Sequence, residues 1–205
     1  MCFAMPMMKD WVPRWIQPWL YVLTALCFQF GGGYYLGALE VIRGTTNFMI
    51  EDVMFLLYAS LAGMAVYFPM LFRMKFRFTN KQLLCASAIV LGICNIVTMY
   101  SQSMPVLVVA CFIAGMAKIQ GTFECMSNIQ LWITPRRDFS VFFPVLHIIL
   151  LTAIEGSGWL AAWFGHHFTW QMMHVFTVGT MSLTLLIQLV CCRPFCPMPH
   201  RLSLK

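Results

Sequence analysis

The sequence predicts an all-α integral membrane protein with six transmembrane helices and with both termini on the cytoplasmic side. Three observations predict it: an apolar composition, six long apolar runs, and basic residues concentrated in alternate loops. The chain of 205 residues is 60% hydrophobic and 10% charged, with a mean hydropathy of +0.77. Soluble domains are roughly 45–50% apolar and about 25% charged, so this chain has too little polar surface to fold as one.

Six apolar runs, bounded by polar residues or proline, have the length of membrane-spanning helices. Crossing the roughly 30 Å hydrocarbon layer takes about 20 apolar residues. The predicted helices cover residues 15–39, 53–71, 83–100, 106–132, 141–164 and 170–191. They form a predicted bundle over residues 15–192, with a cytoplasmic segment at residues 1–14 and a cytoplasmic tail, or the start of a linker, at residues 193–205. The first run lacks a small-residue cleavage site, so we expect a retained helix rather than a signal peptide.

The distribution of Lys and Arg predicts the orientation of the bundle. Cytoplasmic loops retain basic residues, whereas short translocated loops are depleted of them. Eleven of the 13 Lys and Arg residues fall in the N-terminal segment, the second-to-third loop, the fourth-to-fifth loop and the tail, and the opposite loops hold only Arg43. Orientation therefore accounts for the net charge of +6, and we expect no nucleic-acid partner.

Polar side chains interrupt the fourth apolar run at Lys118, Gln120, Glu124 and Asn128. Ionisable groups are costly inside a membrane helix, so each is a candidate functional residue. Steps of four residues place Gln120, Glu124 and Asn128 on one stripe, which we expect to face protein or water. Lys118 lies about 120° around the helix from Glu124, so its counter-charge is expected from another helix.

Two further helices carry candidate residues. In the fifth, His147 and Glu155 lie two turns apart on one face; a carboxylate in apolar surroundings is suited to proton exchange, and the alternative is a static pair of Glu155 with Lys118. In the first, Gln29 and Tyr34 flank three consecutive glycines, which predict either a cavity wall or plain close packing.

Other chemistry has little support in the sequence. The nine cysteines lie mostly in apolar runs and are interpreted as small hydrophobic residues. His166, His167 and His174 lack partners at a metal-site spacing. Cys191, Cys192 and Cys196 are interpreted as reduced thiols, with a metal or palmitoylation site as the alternative. Motifs for nucleotide, hydride, acyl or peptide chemistry are absent, so we predict no enzyme activity, no catalytic residues, no metal and no cofactor.

The overall pattern resembles the N-terminal half of a major facilitator superfamily transporter. It consists of six helices with both ends inside, a basic second-to-third loop and a polar fourth helix. The stretches from Tyr67 to Phe78 and from Lys118 to Glu124 resemble the bacterial (Bacteroides-type) drug:proton antiporter branch.

Individual motifs of the superfamily are matched in part. The basic residues of its cytoplasmic loop motif are echoed by Arg73, Arg77 and Lys81, without the acidic residue and the glycines. Its fourth-helix motif matches at Gln120 and Gly121, with the cation displaced by one position to Lys118.

The resemblance implies one six-helix half of a major facilitator fold, multi-pass in the bacterial inner membrane, and proton-coupled efflux of a small molecule. The candidate transport or proton-coupling residues are then Glu155, Glu124, Lys118 and His147, and the candidate cavity-lining residues are Gln29, Tyr34, Gln120 and Asn128.

Transporters of this type enclose their site between two halves, so we expect a half-length or truncated transporter. Its expected partners are the lipid bilayer, a small-molecule substrate, protons, and a missing C-terminal half or a second copy. The alternatives are a membrane-embedded enzyme that acts on a lipid-like substrate through His147 and Glu155, and a non-transporting fragment or partner protein.

Overall fold

The structure, a computed structural model, describes residues 8–31, 48–101, 103–133, 139–169 and 171–194. These residues form the helices α1 Gln17–Phe30, α2 Ile50–Arg77, α3 Asn80–Tyr100, α4 Met104–Ile133, α5 Phe139–His167 and α6 Met172–Cys191. The described ranges contain no strand beyond an isolated bridge between Met8 and Cys192. The all-α fold class predicted from the sequence is thereby confirmed.

Four of these helices are long and apolar enough to cross a bilayer. The spanning segments are Ile50–Leu71, Asn80–Tyr100, Met104–Ile129 and Met172–Cys191. The predicted first helix, residues 15–39, extends beyond α1, and residues 32–47, with Tyr34, lie outside the described residues.

The second helix is longer than its apolar run, because it continues from Leu71 to Arg77. Acidic residues in its first turn and basic residues in its last turn complement the helix dipole. At the start, Asp52 accepts a hydrogen bond from the backbone N–H of Met49 at 2.9 Å. At the end, Lys75 and Arg77 occupy the last turn.

A capping box starts α3 immediately after α2 ends. The hydroxyl of Thr79 accepts a hydrogen bond from the backbone N–H of Gln82 at 3.3 Å, and the Gln82 side chain accepts one from the backbone N–H of Thr79 at 3.0 Å. This reciprocal pair is the known signature of a helix N-terminus. The connection between α2 and α3 is therefore reduced to residues 78–79, and most of the predicted loop is helical.

The side-chain contacts fix the relative directions of five helices. Asn80 and Leu83 of α3 meet Asn128 and Gln120 of α4, respectively, so α3 and α4 are antiparallel. Lys75, near the end of α2, meets the later part of α4, so α2 and α4 run the same way. Contacts of α6 with α1 and α3 make it antiparallel to both. Accordingly, α2, α4 and α6 all end at the end of the bundle where α1 and α3 begin.

We call this end the basic end, because it carries the following described Lys and Arg residues: Lys9, Arg14, Arg73, Lys75, Arg77, Lys81 and Arg193. The two described chain ends also meet here. The backbone N–H of Lys9 donates to the carbonyl of Cys191 at 2.8 Å, and Arg193 pairs with Asp10 at 2.6 Å. The N-terminal segment is therefore docked on the end of α6.

The centre of the bundle is α4, which contacts α1, α2 and α3. Where α4 crosses α2, the two backbones are so close that no side chain larger than hydrogen fits between them at Gly63 and Gly115. A β-carbon on Gly63 would overlap the carbonyl oxygen of Phe112, and one on Gly115 would overlap that of Ser60. Small residues at such crossings allow membrane helices to gain dispersion energy by direct backbone contact.

Apolar side chains also cover much of the outer surface. On α2 the exposed residues include Phe55, Tyr58, Leu61 and Phe68. An outer face of this composition is suited to lipid rather than to water.

Replacement of Gly115 by Ala is expected to lower the free energy of unfolding by about 1–3 kcal/mol, because α2 and α4 must separate to admit the methyl group. The measurement is unfolding of the purified chain in mixed micelles, followed by circular dichroism.

The matched control for this substitution is Gly179→Ala on α6. No heavy atom lies within 4 Å of a β-carbon built at Gly179, so helix propensity acts alone and favours Ala by up to about 1 kcal/mol. Equal stability of the two variants would contradict the close crossing.

Candidate functional site

The polar stripe predicted on α4 is buried against the neighbouring helices. Gln120, Glu124 and Asn128 are 9%, 0% and 1% exposed. The amide of Gln120 donates to the carbonyl oxygen of Leu83 at 3.4 Å, and that of Asn80 donates to the side-chain oxygen of Asn128 at 3.1 Å. Two members of the stripe thus face α3, where the amide of Gln120 and the side-chain oxygen of Asn128 find partners that lipid would not supply.

Glu124, the third member of the stripe, forms an ion pair with α2. Its carboxylate lies 3.4 Å from the ammonium nitrogen of Lys75, and these side chains are 0% and 10% exposed. The same ammonium donates to the hydroxyl of Ser127 at 2.7 Å. Desolvating two charges is costly, so removal of either partner would leave the other as an uncompensated buried charge.

The carboxylate of Glu124 is incompletely satisfied. Within the described part of the chain no group hydrogen-bonds either of its oxygens, and the hydroxyl of Tyr67 is likewise without such a partner. Tyr67 is buried and near enough to Glu124 to interact electrostatically. A buried carboxylate held by one cation, with no hydrogen bond from the described residues, has the features of a proton-exchanging group.

Lys118 and Gln29 belong to the neighbouring contact between α1 and α4. The amide of Gln29 donates to the hydroxyl of Thr122 at 3.1 Å, and that hydroxyl donates to the carbonyl of Lys118 at 2.9 Å. The side chains of Lys118 and Gln29 are 8% and 7% exposed. Gln29 therefore joins two helices at this point.

The structure places His147 and Glu155 apart from this buried network. As their spacing predicts, they share one face of α5, with Leu151 between them. The structure shows that this face is exposed. The helices that α5 packs against are α1 and α6, whereas Glu124 is paired with α2. The two acidic candidates consequently occupy different environments, one inside the bundle and one on its surface.

The residues of the predicted loop motif lie on helices. Arg73 and Arg77 are exposed on the last two turns of α2. Lys81, in the first turn of α3, donates to the carbonyls of Leu189 and Cys192 at 3.3 and 3.0 Å. Lys81 thereby caps the C-terminus of α6, where a cation is favourable.

A second buried polar cluster joins α3 and α6 further from the basic end. A ring nitrogen of His174 lies 3.0 Å from the amide oxygen of Asn95 and 3.3 Å from the hydroxyl of Thr98. Asn95 and Thr98 also donate to backbone carbonyls of their own helix. Interhelical hydrogen bonds of this kind are the expected fate of polar residues inside a membrane bundle.

Several residues of these clusters are missing from the sequence-based candidates: Tyr67, Lys75, Asn80, Asn95 and Ser127. One signal for Lys75 was available. It follows Tyr67 by eight residues, so a helix continued past the apolar run places both on one face.

Among the described residues, no group of three or more His, Cys, Asp and Glu side chains is arranged to hold a metal ion. His166 and His167 are exposed at the end of α5. Cys192 is buried and its thiol contacts the hydroxyl of Tyr21 at 3.7 Å. Cys196 lies outside the described residues.

Replacement of Lys75 by Met is expected to lower the free energy of unfolding by about 3–5 kcal/mol, because it leaves the Glu124 carboxylate buried without its cation. Adding Glu124→Gln to this variant should restore most of the loss. Arg73→Met, at an exposed position of the same helix, is the control and should change little. The double-mutant cycle in micelles would contradict the pair if the two effects simply added.

Alkylation of Cys192 is expected to be slow in the folded protein. Burial raises the pKa of this thiol to about 11, so almost none of it is thiolate at pH 8, and an unperturbed thiol with pKa near 8.5 would react roughly 10²-fold faster. Peptide mass spectrometry after iodoacetamide treatment, with and without denaturant, measures the difference. Equal rates in the two states would show that the thiol is not buried.

Comparison of the chain with protein-family models gives no match. Comparison with curated proteins gives none either.

Proposed function

We propose that the chain is a six-helix unit of a major facilitator-type transporter in the bacterial inner membrane, and that it couples proton movement to the efflux of a small molecule. The observation that supports this most directly is the buried ion pair between Glu124 and Lys75. Ionisable groups inside membrane bundles are costly, and they mark substrate and proton pathways.

In the proposed mechanism, Glu124 is the proton-exchanging group of the unit. Protonation neutralises the carboxylate and removes its attraction for Lys75, so that only the hydrogen bond to Ser127 still holds the ammonium at α4. The pair joins α2 to α4 near the basic end, so the proton occupancy of Glu124 changes the contact between these two helices. A transporter needs such a coupling between ion binding and helix movement.

The proposed topology has six crossings, with the basic end in the cytoplasm. It is supported by the meeting of both described chain ends at that end and by the basic residues gathered there. Short cytoplasmic loops retain such residues.

The exposed face of α5 supports the proposal of a second unit. A charged side chain such as Glu155 is expensive where lipid would surround it, so it faces protein or a water-filled cavity. A second copy of the chain or a separate C-terminal half would supply that cover, and the substrate site would then form between the two units.

The test is efflux from proteoliposomes that contain the purified full chain, with an imposed pH gradient and ethidium as the probe. We expect ethidium movement to be accompanied by proton movement in the opposite direction. Glu124→Gln should reduce both at least tenfold, because an amide neither binds nor releases the proton.

The matched control is Glu51→Gln, at an exposed position in the first turn of α2, which should leave transport unchanged. Glu155→Gln distinguishes the two acidic candidates: if it abolishes coupling and Glu124→Gln does not, the proton carrier is on α5. No transport by inserted, monodisperse protein would contradict a transporter made of this chain alone.

A further inference from the structure

A small cavity with polar and apolar lining lies between α2, α3 and α4, away from the basic end. Its lining includes Ser60, Cys94, Asn95, Thr98 and Cys111, and it has room for about one water molecule. Cys94 and Cys111 are 7% and 2% exposed, and both are reduced thiols. The cavity is therefore lined by cysteines from two different helices.

Helix register independently places the two thiols at the same depth. Cys94 precedes the end of α3 at Tyr100 by six residues, and Cys111 follows the start of α4 at Met104 by seven. At 1.5 Å per residue both lie about 9–11 Å from the short connection between these antiparallel helices. They are also close enough to interact electrostatically.

We propose that Cys94 and Cys111 form a two-coordinate site for a monovalent soft cation, Cu⁺ or Ag⁺. Thiolate sulfur is the donor that selects such ions, and two thiolates are enough to complete the linear coordination that these ions adopt. Zn²⁺ is a poorer fit, because it takes four ligands in structural sites and the described residues offer no group of three or more ligating side chains here. The site is independent of the proposed transport function.

Binding is written without any change of oxidation state. Two S–H bonds break, two Cu–S bonds form, and two protons leave for each Cu⁺ bound. The product is an anionic S–Cu–S unit, and the amide of Asn95 and the hydroxyls of Ser60 and Thr98 are polar groups that line the same cavity. Because protons are released, the affinity for Cu⁺ must rise with pH.

The test is competition for Cu⁺ between the purified chain in detergent and bicinchoninate, under nitrogen with ascorbate. The wild-type chain should withdraw one tight equivalent that C94S and C111S both lose, with at least a 100-fold weaker affinity at that site. C85S, which removes a partly exposed thiol from the same helix α3, should retain the tight equivalent. The affinity should increase up to about 100-fold per pH unit, as release of two protons requires.

X-ray absorption of the wild-type chain with one equivalent of Cu⁺ tests the site without any substitution. Two sulfur neighbours and no nitrogen or oxygen neighbour are expected. Retention of the tight equivalent by C94S/C111S, a pH-independent affinity, or a third ligand would each overturn the proposal. So would formation of a Cys94–Cys111 disulfide under mild oxidation by a chain that binds no Cu⁺ tightly.

Discussion

At Gly63 and Gly115 the backbones of α2 and α4 touch, and no side chain other than hydrogen fits between them. This contact fixes the distance between two helices that run in the same direction. Further along, the rings of Phe68 and Phe123 meet edge to face at 5.4 Å. Beyond these rings lies the ion pair of Lys75 with Glu124. Whether Lys75 can reach Glu124 depends on the distance between the helices that the glycine contact sets.

A second constraint, the need for hydrogen-bond partners, governs the polar groups inside this bundle. Lipid supplies no hydrogen bonds, so each buried polar group needs a partner from another helix or from its own backbone. On α4 the partners come from α1, α2 and α3, so polar contacts join this helix to three neighbours. A polar central helix thus determines which helices surround it.

Hydropathy and helical spacing predicted part of this arrangement. The apolar runs located the helices, and steps of four residues placed Gln120, Glu124 and Asn128 on one face. The end of α2 was harder to predict from the sequence, because an apolar run stops at its first charges, whereas the helix continues to Arg77. Lys75 was therefore assigned to a loop, although its long aliphatic stem lets the ammonium reach Glu124 from the last turn.

Periodicity could not predict which face of a helix lies at the surface of the bundle. Spacing put His147 and Glu155 on one face of α5, but which face points outward depends on the helices that pack against it. The same holds for Asn95 and His174, which are 79 residues apart in the chain. Contacts of that kind depend on the three-dimensional order of the helices.

The docking of the N-terminal segment on α6 has a consequence for synthesis. Met8 and Val12 are buried in the same apolar cluster as Cys192, which is among the last residues described. During translation the first segment emerges long before that surface exists. Met8 and Val12 therefore reach their packed positions only after α6 has formed, so the order of synthesis and the order of assembly differ at this contact.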